Sequence, residues 1–141
     1  MIIKSIREAL AGRPLVSVSP TTTLDAASDI MASQNVTAIV VLDNEQLVGI
    51  LTEKDVIRHV SQQGGLSQTQ VAAVMCTDVR YVETRDSLSH ALGRMKADGF
   101  RHMPVVDLGQ HVIGMLSLRD IPVEYHVMSE CCLPTEARSA A

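Results

Sequence analysis

The sequence predicts an α+β fold built from two similar halves, and three observations carry that prediction. Gly49-Ile50-Leu51-Thr52-Glu53-Lys54-Asp55 returns as Gly114-Met115-Leu116-Ser117-Leu118-Arg119-Asp120: Gly, two apolar residues, a hydroxyl, two residues, then Asp. Ahead of this stretch the halves keep a constant offset of 64 (88 − 24), with Leu24 matching Leu88, Ala27 Ala91, Met31 Met95, Val41 Val105 and Asp43 Asp107. Each half also reads strand, helix, strand, strand, helix. A period this long, present twice, argues against an open solenoid. A three-stranded sheet with helices on one face must bury its other face, so the two units are expected to pack sheet to sheet with pseudo-twofold symmetry.

Ile2, Ile3, Ile6, Ala9 and Leu10 fall on one face at helical spacing and Gly12-Arg13-Pro14 ends the segment, so a short amphipathic lead-in helix is expected over 2–11. Val16-Ser17-Val18 alternates like a strand, and Pro20 with Thr21, Thr22 and Thr23 supplies a turn and a cap. Leu24, Ala27, Ser28, Ile30 and Met31 mark the buried face of a helix ending near Asn35. A β-type run over 36–42, a hairpin turn at Asp43-Asn44-Glu45 and a returning strand over 47–51 follow. Thr52 then starts a helix that includes Val56, Ile57 and Val60, and Ser61 to Gln70 reads as the linker.

The second half repeats this order, with a hairpin turn, Asp107 to His111, one residue longer, so that Gly49 and Gly114 stand 65 apart (114 − 49). The lead-in repeats too, Leu10 and Ala11 standing 64 before Val74 and Met75. The expected organisation is a lead-in over 1–14, a first repeat over 15–62, a linker and second lead-in over 63–78, a second repeat over 79–128, and a disordered tail over 129–141.

At 141 residues, 46% hydrophobic and 20% charged, the chain can bury a core. That core must be aliphatic, because Phe100, Tyr81 and Tyr125 are its only aromatic residues and no Trp occurs. A net charge of −4 with no Lys/Arg run argues against a nucleic-acid surface. The N-terminus has no signal-peptide h-region and no apolar run approaches the ~20 residues of a membrane span, so a cytoplasmic protein is expected.

The spacing of Cys76, Cys131 and Cys132 resembles neither a zinc site nor a disulfide framework. His126 with Cys131 and Cys132 offers too few ligands for a metal or redox site, the weaker rival reading. No Gly-rich phosphate loop, nucleophile elbow or local nucleophile–base pair occurs, so no catalytic residue and no metal ligand is assigned.

Two readings of the repeated motif coexist. Thr52 and Ser117 suit helix N-caps, with Asp55 and Asp120 at capping-box spacing. The same geometry suits a ligand: a free N-terminal turn offers N–H groups to an anion, and a carboxylate accepts the paired hydroxyls of a ribose.

The paired units, their shared motif endings, and the run Gly99-Phe100-Arg101-His102-Met103-Pro104-Val105-Val106-Asp107 resemble tandem CBS domains (cystathionine-beta-synthase domains, the Bateman module) over residues 5 to 128. The first repeat departs at Val40, which stands where the family usually has Pro. With no other domain evident, the chain is similar to the small stand-alone bacterial type.

The resemblance implies a non-catalytic energy-sensor module binding AMP, ADP, ATP, NAD or S-adenosylmethionine in clefts between the repeats. It also implies a homodimer, an unidentified regulated partner, no required cofactor, and neither nucleic acid nor membrane as partner. Carried over, Thr52, Lys54 and Asp55 join Val79, Arg80, Phe100, Arg101, His102, Met103 and Pro104 in one site. Ser117, Arg119 and Asp120 join Val16, Ser17, Val36, Thr37, Ala38 and Ile39 in the other.

In this scheme Asp55 and Asp120 accept ribose hydroxyls while Ile39 or Met103 covers adenine. Lys54, Arg80, Arg101 and His102 make the Asp55 site the phosphate-rich one; Arg119 is the chief cation of the other. Adjacent on a strand, Arg101 and His102 point to opposite faces, so at most one meets the ligand directly. Dimer contacts are expected from Val56, Ile57 and Val60, and from Ile121, Val123 and Val127. The main rival is a ligand-free interaction module, in which the carboxylates are caps alone.

Overall fold

The computed structural model describes residues 5–132. Ile2 and Ile3 of the expected lead-in, and residues 133–141 of the expected tail, lie outside the described residues, as do the side chains of Cys131 and Cys132. The elements are α1 (Ile6–Leu10), β1 (Ser17–Val18), α2 (Leu24–Gln34), β2 (Ala38–Asp43), β3 (Gln46–Thr52), α3 (Glu53–Gln63), β4 (Val82–Glu83), α4 (Leu88–Asp98), β5 (His102–Val106), β6 (Val112–Ser117) and α5 (Val123–Cys132). They form an α+β fold with two three-stranded sheets, ordered β1-β2-β3 and β4-β5-β6. In each, a parallel pair precedes an antiparallel hairpin.

The chain divides into two compact units, Leu15–Arg80 and Met1–Pro14 with Tyr81–Ala141. Local chemistry sets the same helix in both. Thr23 Oγ1 accepts the Ala26 N–H to start α2, and Ser87 Oγ accepts the His90 N–H to start α4. Asn35 (φ 55°) and Gly99 (φ 76°) end these helices in the left-handed region, where Gly and Asn are tolerated best. Leu24, Ala27 and Met31 meet Ile39, Val41 and Leu51 in one core, while Leu88, Ala91, Leu92 and Met95 meet Met103, Val105 and Leu116 in the other. Each fully buried aliphatic side chain contributes about 1.5–3 kcal/mol.

The hairpins carry matched irregularities. Val48, between the partners of Val41 and Leu42, and Ile113, between those of Val105 and Val106, are extra residues. These bulges place both side chains against their cores. Asn44 and Glu45 (φ 52° and 66°) form a two-residue turn of the mirror-image class that suits a right-twisted hairpin. Glutamate fits that second position poorly. Glu45→Gly is therefore expected to raise stability by about 0.5–1 kcal/mol, read from the urea midpoint at unchanged m. In the second hairpin Asp107 Oδ1 accepts the N–H groups of His111 and Gly109, each at 2.9 Å, and the His111 bond leads in holding this carboxyl below the usual range.

Several boundaries differ from expectation. The second strand starts at Ala38 because Asn35 turns back and the Val36 N–H bonds the Met31 carbonyl. Helix α3 runs to Gln63, into the expected linker, and His59 Nε2 lies 2.9 Å from the Gly65 carbonyl and 3.2 Å from Thr69 Oγ1, giving His59 partners its spacing did not suggest. The helix after Ser117 is displaced, as Pro122 in the sequence implies: a three-residue 3-10 turn forms, Leu118–Asp120, and Ile121 leaves helical geometry (φ −88°, ψ 125°). Helix α5 starts beyond it and reaches Cys132, inside the expected tail.

The lead-ins exchange units. Ile6, Ala9 and Leu10 of α1 enter the core of the second unit, whereas Val71 enters the core of the first and Val74 and Met75 pack against it. Cys76, which is exposed, exchanges both backbone bonds with Ile50 on β3, at 2.9 and 3.0 Å. The second lead-in is a 3-10 turn, Val71–Ala73, not a copy of α1. The exchange also accounts for the glycine of the motif. A Cβ at Gly49 would lie 2.5 Å from Met75 Sδ, and one at Gly114 would lie 3.1 Å from Leu10 Cδ1.

Candidate ligand site

In both units the third strand ends on a hydroxyl that is clamped to a carboxylate three residues on. The Thr52 N–H and Oγ1 donate to Asp55 Oδ2 at 3.0 and 2.9 Å, and Thr52 Oγ1 accepts the Asp55 N–H at 3.3 Å. Asp55 Oδ1 also faces Arg58, 3.6 Å away on the same helix. In the other unit Asp120 Oδ2 accepts the Ser117 N–H at 2.8 Å and Ser117 Oγ accepts the Arg119 N–H at 3.3 Å. Both are complete capping boxes. The capping reading of the motif therefore holds in both repeats.

The expected free turn is a different matter. The Glu53 N–H bonds the Thr37 carbonyl at 2.9 Å and the Leu118 N–H bonds the Arg101 carbonyl at 3.0 Å, so each turn is stitched to the strand start beside it. Adding the bonded N–H groups of Asp55 and Arg119, much of each turn is spent internally. An anion there depends on side-chain cations.

The predicted site residues distribute over both units, and each half is described by itself. The first unit holds Val16, Ser17, Val36, Thr37, Ala38, Ile39, Thr52, Lys54, Asp55, Val79 and Arg80; the second holds Phe100, Arg101, His102, Met103, Pro104, Ser117, Arg119 and Asp120. Lys54, Arg101 and Arg119 are exposed, His102 is half-buried, and Arg80 is exposed with its Nε 3.3 Å from Asp78 Oδ1. Asp55 and Asp120 are mostly buried, their side chains 17% and 14% exposed.

Ile39 and Met103 are wholly buried within their own cores, so the expected adenine cover is corrected: these side chains fill space under the sheet. Strand alternation explains it, since Ile39 and Met103 share the core-facing side with Val41 and Val105. Ala38, Val40, Pro104 and Val106 are buried on the opposite side. Val40 uses the N–H that a proline lacks, donating to the Val16 carbonyl at 3.3 Å.

Arg58 and Arg13, which pair with the motif carboxylates, have no role in the sequence pattern. Arg58 lies one helical turn from Asp55, a spacing that could have revealed it. Arg13, beyond α1, places its Nη2 2.7 Å from Asp120 Oδ2 across 107 residues of chain, a separation with no sequence signal. No group of His, Cys, Asp and Glu suited to a metal occurs among the described residues.

The CBS domain model matches residues 5–62 and 71–122, and the chain belongs to that family. The CBS domain-containing protein YhcV of Bacillus subtilis is 31% identical over 121 residues, 86% of this chain and 85% of that protein. Of two longer relatives the chain spans about a fifth. It covers 19% of the CBS domain-containing protein CBSCBSPB1 of Arabidopsis thaliana (39% identity, 73% of this chain) and 22% of the inosine-5'-monophosphate dehydrogenase of Thermoplasma acidophilum (26% identity, 81% of this chain).

Among solved structures, a CBS-domain containing protein from Agrobacterium tumefaciens aligns at TM-score 0.76 and 27% identity, covering 86% of this chain and 98% of that one. A CBS domain protein from Pyrobaculum aerophilum complexed with AMP aligns at 0.80 and 23%, covering 91% and 99%. A CBS domain pair in complex with 5-methylthioadenosine and S-adenosyl-L-methionine aligns at 0.76 and 20%, covering 88% and 97%. At these last two identities the likeness is one of fold. No helix among the described residues is long and apolar enough to cross a membrane.

Proposed function

We propose that this chain is a non-catalytic, cytoplasmic regulatory module that binds an adenosyl ligand at the strand-end carboxylates of its two repeats. Occupancy passes to a partner protein by favouring one arrangement of the repeats or of two chains. One observation carries the reading. The Ser117–Asp120 box is complete although only a three-residue 3-10 turn follows it. At the head of α3 the box of Thr52 and Asp55 caps a full helix, whereas that of Ser117 and Asp120 caps only this short turn. A partly buried carboxylate beside a hydroxyl at the end of a strand suits the paired hydroxyls of a ribose in both repeats.

Lys54 and Arg80 are assigned to the phosphates of the Asp55 site, with Arg119 serving the other. Adenine cover falls to residues other than Ile39 and Met103, whose burial removes them from that role.

A second reading, a ligand-free dimerisation module, draws on the exposed apolar residues Ile57 and Val60 of α3 and Val123 and Val127 of α5. A homodimer through these faces is compatible with either reading. Val56 and Ile121 leave the contact list, since Val56 packs against one core and Ile121 lies within the other.

A thermal-shift panel with AMP, ADP, ATP, NAD, NADH and S-adenosylmethionine tests the proposal. A ligand at a hundredfold excess over its Kd adds ~2.7 kcal/mol, a rise of roughly 5–15 °C for a chain of this size. If nucleotide-free protein shifts with none of them, the ligand reading fails and the dimerisation module stands.

A further inference from the structure

We infer that Arg13 is a built-in competitor for the ligand at Asp120, an inference that rests on the proposed adenosyl reading of that site. The Arg13 Nη2 stands 2.7 Å from Asp120 Oδ2, the oxygen that also accepts the Ser117 N–H. A ribose diol that binds across both carboxylate oxygens competes with this guanidinium for Oδ2. The competitor is held in place: Arg13 Nε donates to the Leu10 carbonyl at 2.9 Å, the Arg13 N–H donates to the same carbonyl at 3.1 Å, and Leu10 is buried in the core of the unit. With its backbone and Nε tied at the end of α1, the side chain gives up little further freedom in reaching Asp120.

The other repeat lacks the device. Arg13 plus the repeat offset of 64 or 65 falls on Thr77 or Asp78, neither of them a cation. Asp55 has a looser cation partner, Arg58 on its own helix, 3.6 Å from Oδ1 and 64% exposed. Ligand at the Asp55 site therefore meets the longer and more exposed ion pair, while at the Asp120 site a 2.7 Å pair must give way. The two sites fill in order, Asp55 before Asp120, and filling the second releases the Arg13 anchor from the motif of the second repeat.

Titration calorimetry with AMP separates the possibilities. Asp55→Ala isolates the Asp120 site; Asp55→Ala with Arg13→Gln removes its competitor while keeping much of the side chain's length, and Asp55→Ala with Arg13→Ala repeats the test without a polar group. Melting curves identify folded variants. Because half of the Arg13 side chain is solvent-exposed, its removal is expected to tighten AMP binding by about two- to fivefold. Unchanged affinity overturns the inference. So does weaker affinity, which would make Arg13 a phosphate ligand, and so does loss of binding in all three variants when the wild type binds. Absence of AMP binding in the wild type and every variant, with no shift across the ligand panel, instead overturns the adenosyl reading beneath it.

Discussion

Gly49→Ala is expected to destabilise the protein by about 1–3 kcal/mol, the usual cost of forcing extra volume into a packed site. The added methyl would meet Met75 Sδ at 2.5 Å and Cγ at 2.9 Å, and behind them the Cys76 backbone oxygen at 3.1 Å. The thioether can swing away. The Cys76 carbonyl cannot, because it accepts the Ile50 N–H and the Cys76 N–H returns the bond. Gly114→Ala is expected to cost less, since its methyl meets only the Leu10 methyls, at 3.1 and 3.2 Å. Urea midpoints of the two variants check the order, and equal costs would mean that Met75 and Leu10, rather than the backbone, set the limit.

The second large effect is expected at the carboxylates. Asp55→Ala should abolish adenosyl binding at its own site and leave the Asp120 site filling; Asp120→Ala should do the reverse. Calorimetry with the best ligand of the thermal panel, counting sites in each variant, checks this. Two sites surviving in either variant would refute the assignment.

A stability change does not decide between cap and ligand. An Asp that only binds ligand is dispensable for folding, whereas a capping Asp costs about 0.5–2 kcal/mol on removal. The structure makes both carboxylates caps, so that loss is expected whether or not a ligand binds. Asp120→Ala also removes the partner of Arg13, which adds little because the guanidinium is half exposed and water can solvate it. Only ligand binding discriminates.

Much of the fold was legible because its signals are short-range. The caps at Thr23 and Ser87, the left-handed ends at Asn35 and Gly99, and the boxes at Thr52–Asp55 and Ser117–Asp120 each join residues within about one helical turn. Alternation and helical spacing likewise need only a handful of neighbours, and a constant offset reveals a duplication without any knowledge of packing. Even the failure of a helix after Ser117 was written locally, in Pro122.

What remained illegible depends on which surfaces meet. Residues 5–14 share helical spacing with no stated destination; only the packed chain assigns α1 to the second unit and Val71 to Cys76 to the first. Met103 looked free to serve a ligand until burial placed it in a core, and the motif glycine had no explanation before a lead-in side chain lay across it. The Arg13–Asp120 pair is the extreme case, its partners 107 residues apart. By itself the sequence determined the family, the two repeated units and the local chemistry of each turn, because those follow from neighbours along the chain. Tertiary structure alone decided the exchange of lead-ins and the partner of each carboxylate, because contacts between distant segments follow from how apolar surface is shared on folding, which no local pattern encodes.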